Sequence, residues 1–169
     1  MFTKFDRHMK LTAIIGMVLV FGLSAAWAVQ TYSASKVIQY GKGDTLKVIH
    51  NGDNQHIIAE ITAGSLDAYM AENSLNQVTI TCELTEEWVD TGGGNGYYKL
   101  SFVFGPSGVY FDPDPLILKI KGKWVANNTE FWLYDENGEA IAGTRTDNAD
   151  LIKFEIPHFS CYYYEDYSY

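Results

Sequence analysis

The sequence predicts an all-β fold, an antiparallel β-sandwich preceded by an N-terminal signal peptide. Three observations carry that expectation. Val78, Ile80 and Cys82 alternate with Thr79, Thr81 and Glu83, and Tyr98, Leu100, Phe102 and Phe104 repeat every second residue, as strands with one buried face do. The apolar runs are short and are closed by Gly, Asn, Asp and Pro. From Phe104 to Ile120 the chain reads as a strand, a Gly105-Pro106-Ser107-Gly108 turn, an extended Val109-Tyr110-Phe111, an Asp112-Pro113-Asp114-Pro115 corner and a second strand. Pro106 presets φ, Gly108 tolerates positive φ, and each Asp-Pro pair disfavours helix.

The first residues set the destination. Lys4, Arg7 and Lys10 precede an apolar run over residues 11–23, and Ala26-Trp27-Ala28 offers the small side chains a signal peptidase needs. This is the secretory pattern, with residues 1–28 removed and Val29 as the new N-terminus. An uncleaved anchor is the competing reading, because residues 11–29 nearly reach across the ~30 Å of a bilayer core. No cysteine lies near the end of the segment to take a lipid. Residues 29–35 read as a short linker and residues 36–169 as one domain, a usual size for a single core.

The chain has net charge −9. The predicted signal carries three basic and one acidic residue, so the exported part stands at −11. A polyanion of this kind repels nucleic acid and anionic lipid, although the charge reads first as a device for solubility; a protein or another cell-envelope component is the expected partner. Neither nucleic acid nor, once the signal is gone, a membrane is expected.

Along the chain, residues 36–40 and 45–50 read as strands. The second closes on Asn51-Gly52-Asp53-Asn54, a hairpin signal because Asn and Gly tolerate positive φ. Residues 57–61 resume the sheet, and residues 66–75 hold the one helix-compatible stretch, too short to stand alone. Residues 77–84 and 97–104 flank the loop Thr91-Gly92-Gly93-Gly94-Asn95-Gly96. A Gly-rich loop cradles phosphate when a helix follows it; here a strand follows, so a hairpin is expected. Residues 130–134, 139–143, 150–156 and 159–164 complete the strands.

Cys82 and Cys161 are the two cysteines. Export makes a disulfide between them a candidate, with two separate thiols as the alternative. The absence of a Cys-x-x-Cys pair removes the usual redox and zinc patterns.

Three pieces resemble the ZU-five domain, the β-sandwich module of ankyrins, UNC-type netrin receptors and tight-junction scaffolds, and its bacterial relatives. They are Ile61-Thr62-Ala63-Gly64-Ser65-Leu66, with Thr62 where the family usually has Pro; Phe104-Gly105-Pro106-Ser107-Gly108 with Phe111; and His158-Phe159-Ser160. The last is similar to the close of autoprocessing members. There a serine hydroxyl attacks the carbonyl of the preceding residue, and water then breaks the resulting ester. The resemblance implies a sandwich over about residues 36–165 and makes His158 and Ser160 candidate catalytic residues, with cleavage between Phe159 and Ser160. Period-two geometry gives the competing reading, in which Phe159 enters the core and His158 and Ser160 face out. Ten residues follow Phe159, so cleavage would release no effector domain.

The remaining candidates lack a selecting pattern. His50, His56 and His158 do not follow a metal-ligand spacing. Glu83, Glu86, Glu87 and Asp90, or Asp112 and Asp114, offer oxygens for Ca²⁺ without the spacing of a calcium loop, and read as a solvated acidic face. Trp88, Trp124 and Trp132 would suit a sugar-stacking platform, although Trp132 sits between Phe131 and Leu133 and reads as core. Asn127-Asn128-Thr129 fits a glycosylation sequon. No cofactor and no metal is expected. The reading is an exported, non-enzymatic structural or protein-interaction module in the periplasm, at the cell surface or outside. A self-cleaving domain is second and a secreted hydrolase third. The oligomeric state stays open.

Overall fold

The computed structural model describes residues 29–51, 54–125, 130–146 and 150–165. Its elements are β1 (Gln30–Gln39), β2 (Asp44–Asn51), β3 (Gln55–Ile61), α1 (Asp67–Glu72), β4 (Gln77–Gly92), β5 (Asn95–Gly105), β6 (Leu116–Lys121), β7 (Trp132–Asp135), β8 (Ala140–Ala142), β9 (Thr144–Arg145), β10 (Leu151–Ile156) and β11 (Cys161–Glu165). They form a six-stranded sheet in the order β1-β4-β5-β11-β7-β8 and a five-stranded sheet in the order β2-β3-β6-β10-β9. The registered pairs are antiparallel throughout. The all-β sandwich expected from the alternation is the fold observed.

Period two decides which side chains fill the space between the sheets. From the six-stranded sheet come Ile38, Val78, Ile80, Cys82, Leu84, Leu100, Phe102, Phe104, Leu133, Tyr162 and Tyr164; from the other come Ile57, Ala59, Leu116, Leu118, Ile120, Ile152, Phe154 and Ile156, all buried. Phe154 meets Tyr164 edge-on across the core at 6.0 Å. Burying a large apolar side chain contributes roughly 1.5–3 kcal/mol, so the two inner faces supply most of what opposes chain entropy.

Two crossings between the sheets lie side by side. Residues 106–115 carry the chain from β5 to β6, and residues 157–160 carry it back from β10 to β11. The Phe111 N–H donates to Pro157 O at 3.0 Å and the Phe159 N–H to Val109 O at 2.7 Å, with Tyr110 and His158 as bridge partners. Gly108 has φ +81°, as the turn requires, and the Gly105–Pro106 and Asp112–Pro113 peptides are cis. The helix α1 closes one end, with Met70 and the preceding Leu66 buried.

Two boundaries differ from the sequence reading. Residues 30–35, expected as linker, begin β1, which pairs with β4 from Gln30↔Glu86 to Gln39↔Gln77. Tyr32, Ala34, Lys36 and Ile38 fall on its inner side, so its alternation is real but polar and small. β4 runs on to Gly92, eight residues past Leu84, because its continuation pairs with β5 as a long hairpin. The predicted signal, the turn at Gly52-Asp53, the sequon and the last four residues lie outside the described residues.

Candidate interaction surface

The segment 157–160 is packed rather than poised. The Phe159 ring is buried, stacked on Phe104 at 5.3 Å and edge-on to Phe111 at 5.1 Å. The Phe104 N–H donates to Ser160 O at 3.2 Å. His158 faces away from the hydroxyl it would have to activate: its Nδ1 lies 3.4 Å from the Tyr162 phenol, which also donates to His158 O at 2.7 Å. Among the described residues Ser160 Oγ is buried without a hydrogen-bond partner, so no base among them stands ready to take its proton. Residues 61–66, 104–111 and 158–160 meet here. Ser65 O accepts the Asp112 N–H at 2.9 Å, and Phe104, Phe111 and Phe159 share the contacts above.

The cysteines are free, Cys82 buried and Cys161 exposed. Cys82 pairs in register with Phe104 and Cys161 with Val103 on β5, so the thiols point to opposite faces of the sheet with a strand between them. Two strand spacings are about 9.6 Å, beyond the ~7 Å a disulfide spans. The candidate bond between Cys82 and Cys161 is therefore corrected to two separate thiols. Burial, with the charge of Glu83 second, pushes the Cys82 thiol up to about 12.

The other candidates are dispersed. His50 and His56 are opposed in the β2–β3 register, and His56 pairs with Lys121 at the far end of β6 from Leu116, whereas His158 follows the β10 end that pairs with Leu116. That separation is about five residues of strand, roughly 17 Å. Asp112 and Asp114 are exposed on the crossing. Glu83 and Glu87 point outward, but Glu86 is only 4% exposed. Trp124 is buried, Trp88 packs edge-on to Tyr98 at 4.8 Å, and Trp132 is 40% exposed. The three tryptophans thus form no common platform. Trp132 is corrected from core to surface, because Phe131 and Leu133 on either side of it turn inward.

Glu86 is the residue that the sequence reading misplaced. It shares the inner parity of Cys82 and Leu84, which was the available signal. Its Oε1 ion-pairs with Lys123 Nζ, which also lies 4.7 Å from the Tyr98 ring centroid and 5.3 Å from that of Trp124. Burial disfavours the Lys123 charge, yet the hydrogen bond and charge of Glu86, with Tyr98 and Tyr32, outweigh it and raise the ammonium's pKa. This cluster ties the β4–β5 hairpin to the turn after β6.

The outer face of the six-stranded sheet is the broad feature left over. It exposes Val37 on β1, Val103 on β5 and Trp132 on β7, at 49%, 50% and 40%. Register places Cys161 beside Val103. Tyr163 stacks on Tyr134 at 5.2 Å with 19° between planes. Around them lie Thr81, Glu83, Thr85, Glu87 and Ser101, with Lys99 bridging to Glu165 at 3.3 Å. Aromatic and aliphatic side chains on rigid strands, framed by hydroxyls and charges, can anchor a partner protein at little cost in side-chain entropy. No protein-family model, curated protein or solved structure matches the chain.

Proposed function

We propose that this protein is an exported, non-enzymatic interaction module of the cell envelope or exterior, built on a ZU-five-like sandwich and engaging its partner through the outer face of the six-stranded sheet. The observation that carries the reading is that face: Trp132, Val103 and Val37 are exposed on the outer side of β7, β5 and β1, whose other sides face the core. Trp132, Tyr134 and Tyr163 lie together on β7 and β11, and a contiguous apolar group with a polar rim marks a binding surface. The basic start, apolar run and Ala-x-Ala end of residues 1–28 support export.

The test is fractionation of the producing cell with wild type and Trp132→Ala/Val103→Glu. Retention of the wild type with the envelope, and release of the variant into the soluble exported fraction, supports the reading. Equal distribution of two folded proteins contradicts it.

A further inference from the structure

The two outer faces of the sandwich differ in charge. On the five-stranded sheet the outward positions include Lys47 on β2, Lys119 and Lys121 on β6 and Lys153 on β10, against Glu60 and Glu155. Lys119 and Lys153 are direct cross-strand partners, an arrangement that costs stability in a sheet. Lys119 is relieved by Glu60 at 2.5 Å. Lys47, Lys121 and Lys153 form no ion pair among the described residues. Half-buried Ile58, Ile117 and Leu151 lie among these charges. A net-negative chain therefore gathers lysines, at a local cost, with apolar side chains between them. The opposite face reverses the sign, with Glu83, Glu87 and Glu165 against Lys99 around Val103 and Trp132.

We propose that the lysine face of one copy docks on the outer face of the six-stranded sheet of a second copy. The inference rests on the reading of that outer face as the interaction surface, and it names the partner. Charge complementarity selects the occupant. An acidic patch of the sign that fits the lysine face is present on the molecule itself, in Glu83, Glu87 and Glu165. Because the two patches lie on opposite sides of the sandwich, the contact is heterologous and repeats from copy to copy as an open stack. Five strands spaced ~4.8 Å apart and about six residues long cover on the order of 400 Å². Two such faces bury about 800 Å², less than stable complexes do, so association is weak and concentration-dependent.

Sedimentation velocity of the exported protein from about 10 μM to about 1 mM, at about 0.15 M salt, tests this. The wild type is expected to sediment faster as concentration rises. Lys119→Glu/Lys153→Glu and Glu83→Lys/Glu87→Lys, each with an unchanged far-UV circular dichroism spectrum, should each stay monomeric, and their equimolar mixture should associate again. Lys47→Glu/Lys121→Glu replaces the first variant if that one does not fold. A wild type that is monomeric throughout, variants that associate like wild type, or a mixture that stays monomeric overturns the proposal. So does a monomer whose lysine face instead binds dextran sulfate, which would assign the face to a polyanion. None of these outcomes touches envelope retention through Trp132 and Val103, so the two readings fail separately.

Discussion

The rings of Phe104 and Phe159 stack 5.3 Å apart with only 15° between their planes, fastening the return crossing to the end of β5. Phe159→Ala removes that contact and the one to Phe111. Truncating a buried Phe costs about 3–5 kcal/mol, a large part of the ~5–15 kcal/mol that holds a domain together. Urea unfolding should show the midpoint collapse by that amount. A loss below about 1 kcal/mol would mean that the crossing is held by its backbone hydrogen bonds alone.

Ser160→Ala separates chemistry from packing at the neighbouring position. With His158 turned to Tyr162 and no base at Ser160 Oγ among the described residues, the chain should be whole under denaturing conditions. The variant should differ in intact mass only by the missing oxygen. A wild type split after Phe159 and made whole by Ser160→Ala would establish self-processing.

The thiols should behave as two unrelated groups. Cys161 is expected to react with a thiol reagent in the folded protein, and Cys82 only after unfolding, since it is buried and its thiol is pushed up to about 12. Reduction should leave the mass of the monomer unchanged. Protection of both thiols in the native state until a reductant is added would contradict the register of β4, β5 and β11.

Lys123 links stability to alkaline pH. Its folded-state pKa is raised above the ordinary 10.5, so its contribution is fully present below 10.5 and is lost as pH climbs through the raised value. Thermal melts should fall in that window more steeply for wild type than for Lys123→Met. At neutral pH, Lys123→Met leaves the Glu86 carboxylate buried and unpaired, a loss of about 1–3 kcal/mol. Adding Glu86→Gln should restore part of it. No recovery in the double variant would mean that Lys123 acts through its contacts with the Tyr98 and Trp124 rings.

Much of this architecture was legible from period two alone, and the misreadings came from using it incompletely. Residues 77–84 and 98–104 showed their buried faces because the inward residues are large and apolar. The start of β1 is hidden in the sequence because its inner positions are Tyr32, Ala34 and Lys36, which pattern weakly until β4 is seen beside them. Trp132 lies among apolar neighbours, yet alternation with Phe131 and Leu133 requires it to face out. Glu86 shares its charge with Glu83, Glu87 and Asp90, while its even number puts it with Leu84 on the inner side. The Cys82–Cys161 question was closed to sequence, since it depends on which strand lies between them. The charge difference between the faces likewise emerges only when Lys119 and Lys153 fall into register.

Photo-crosslinking in the producing cell tests the central claim most directly. With p-benzoyl-phenylalanine in place of Val103, on the outer face of the six-stranded sheet, irradiation should give a discrete higher-mass adduct. The same group in place of Leu75, which is exposed in the loop between α1 and β4, should give none. Adducts of equal yield at both positions, or none at Val103 in a folded protein, would contradict the assignment of that face as the interaction surface.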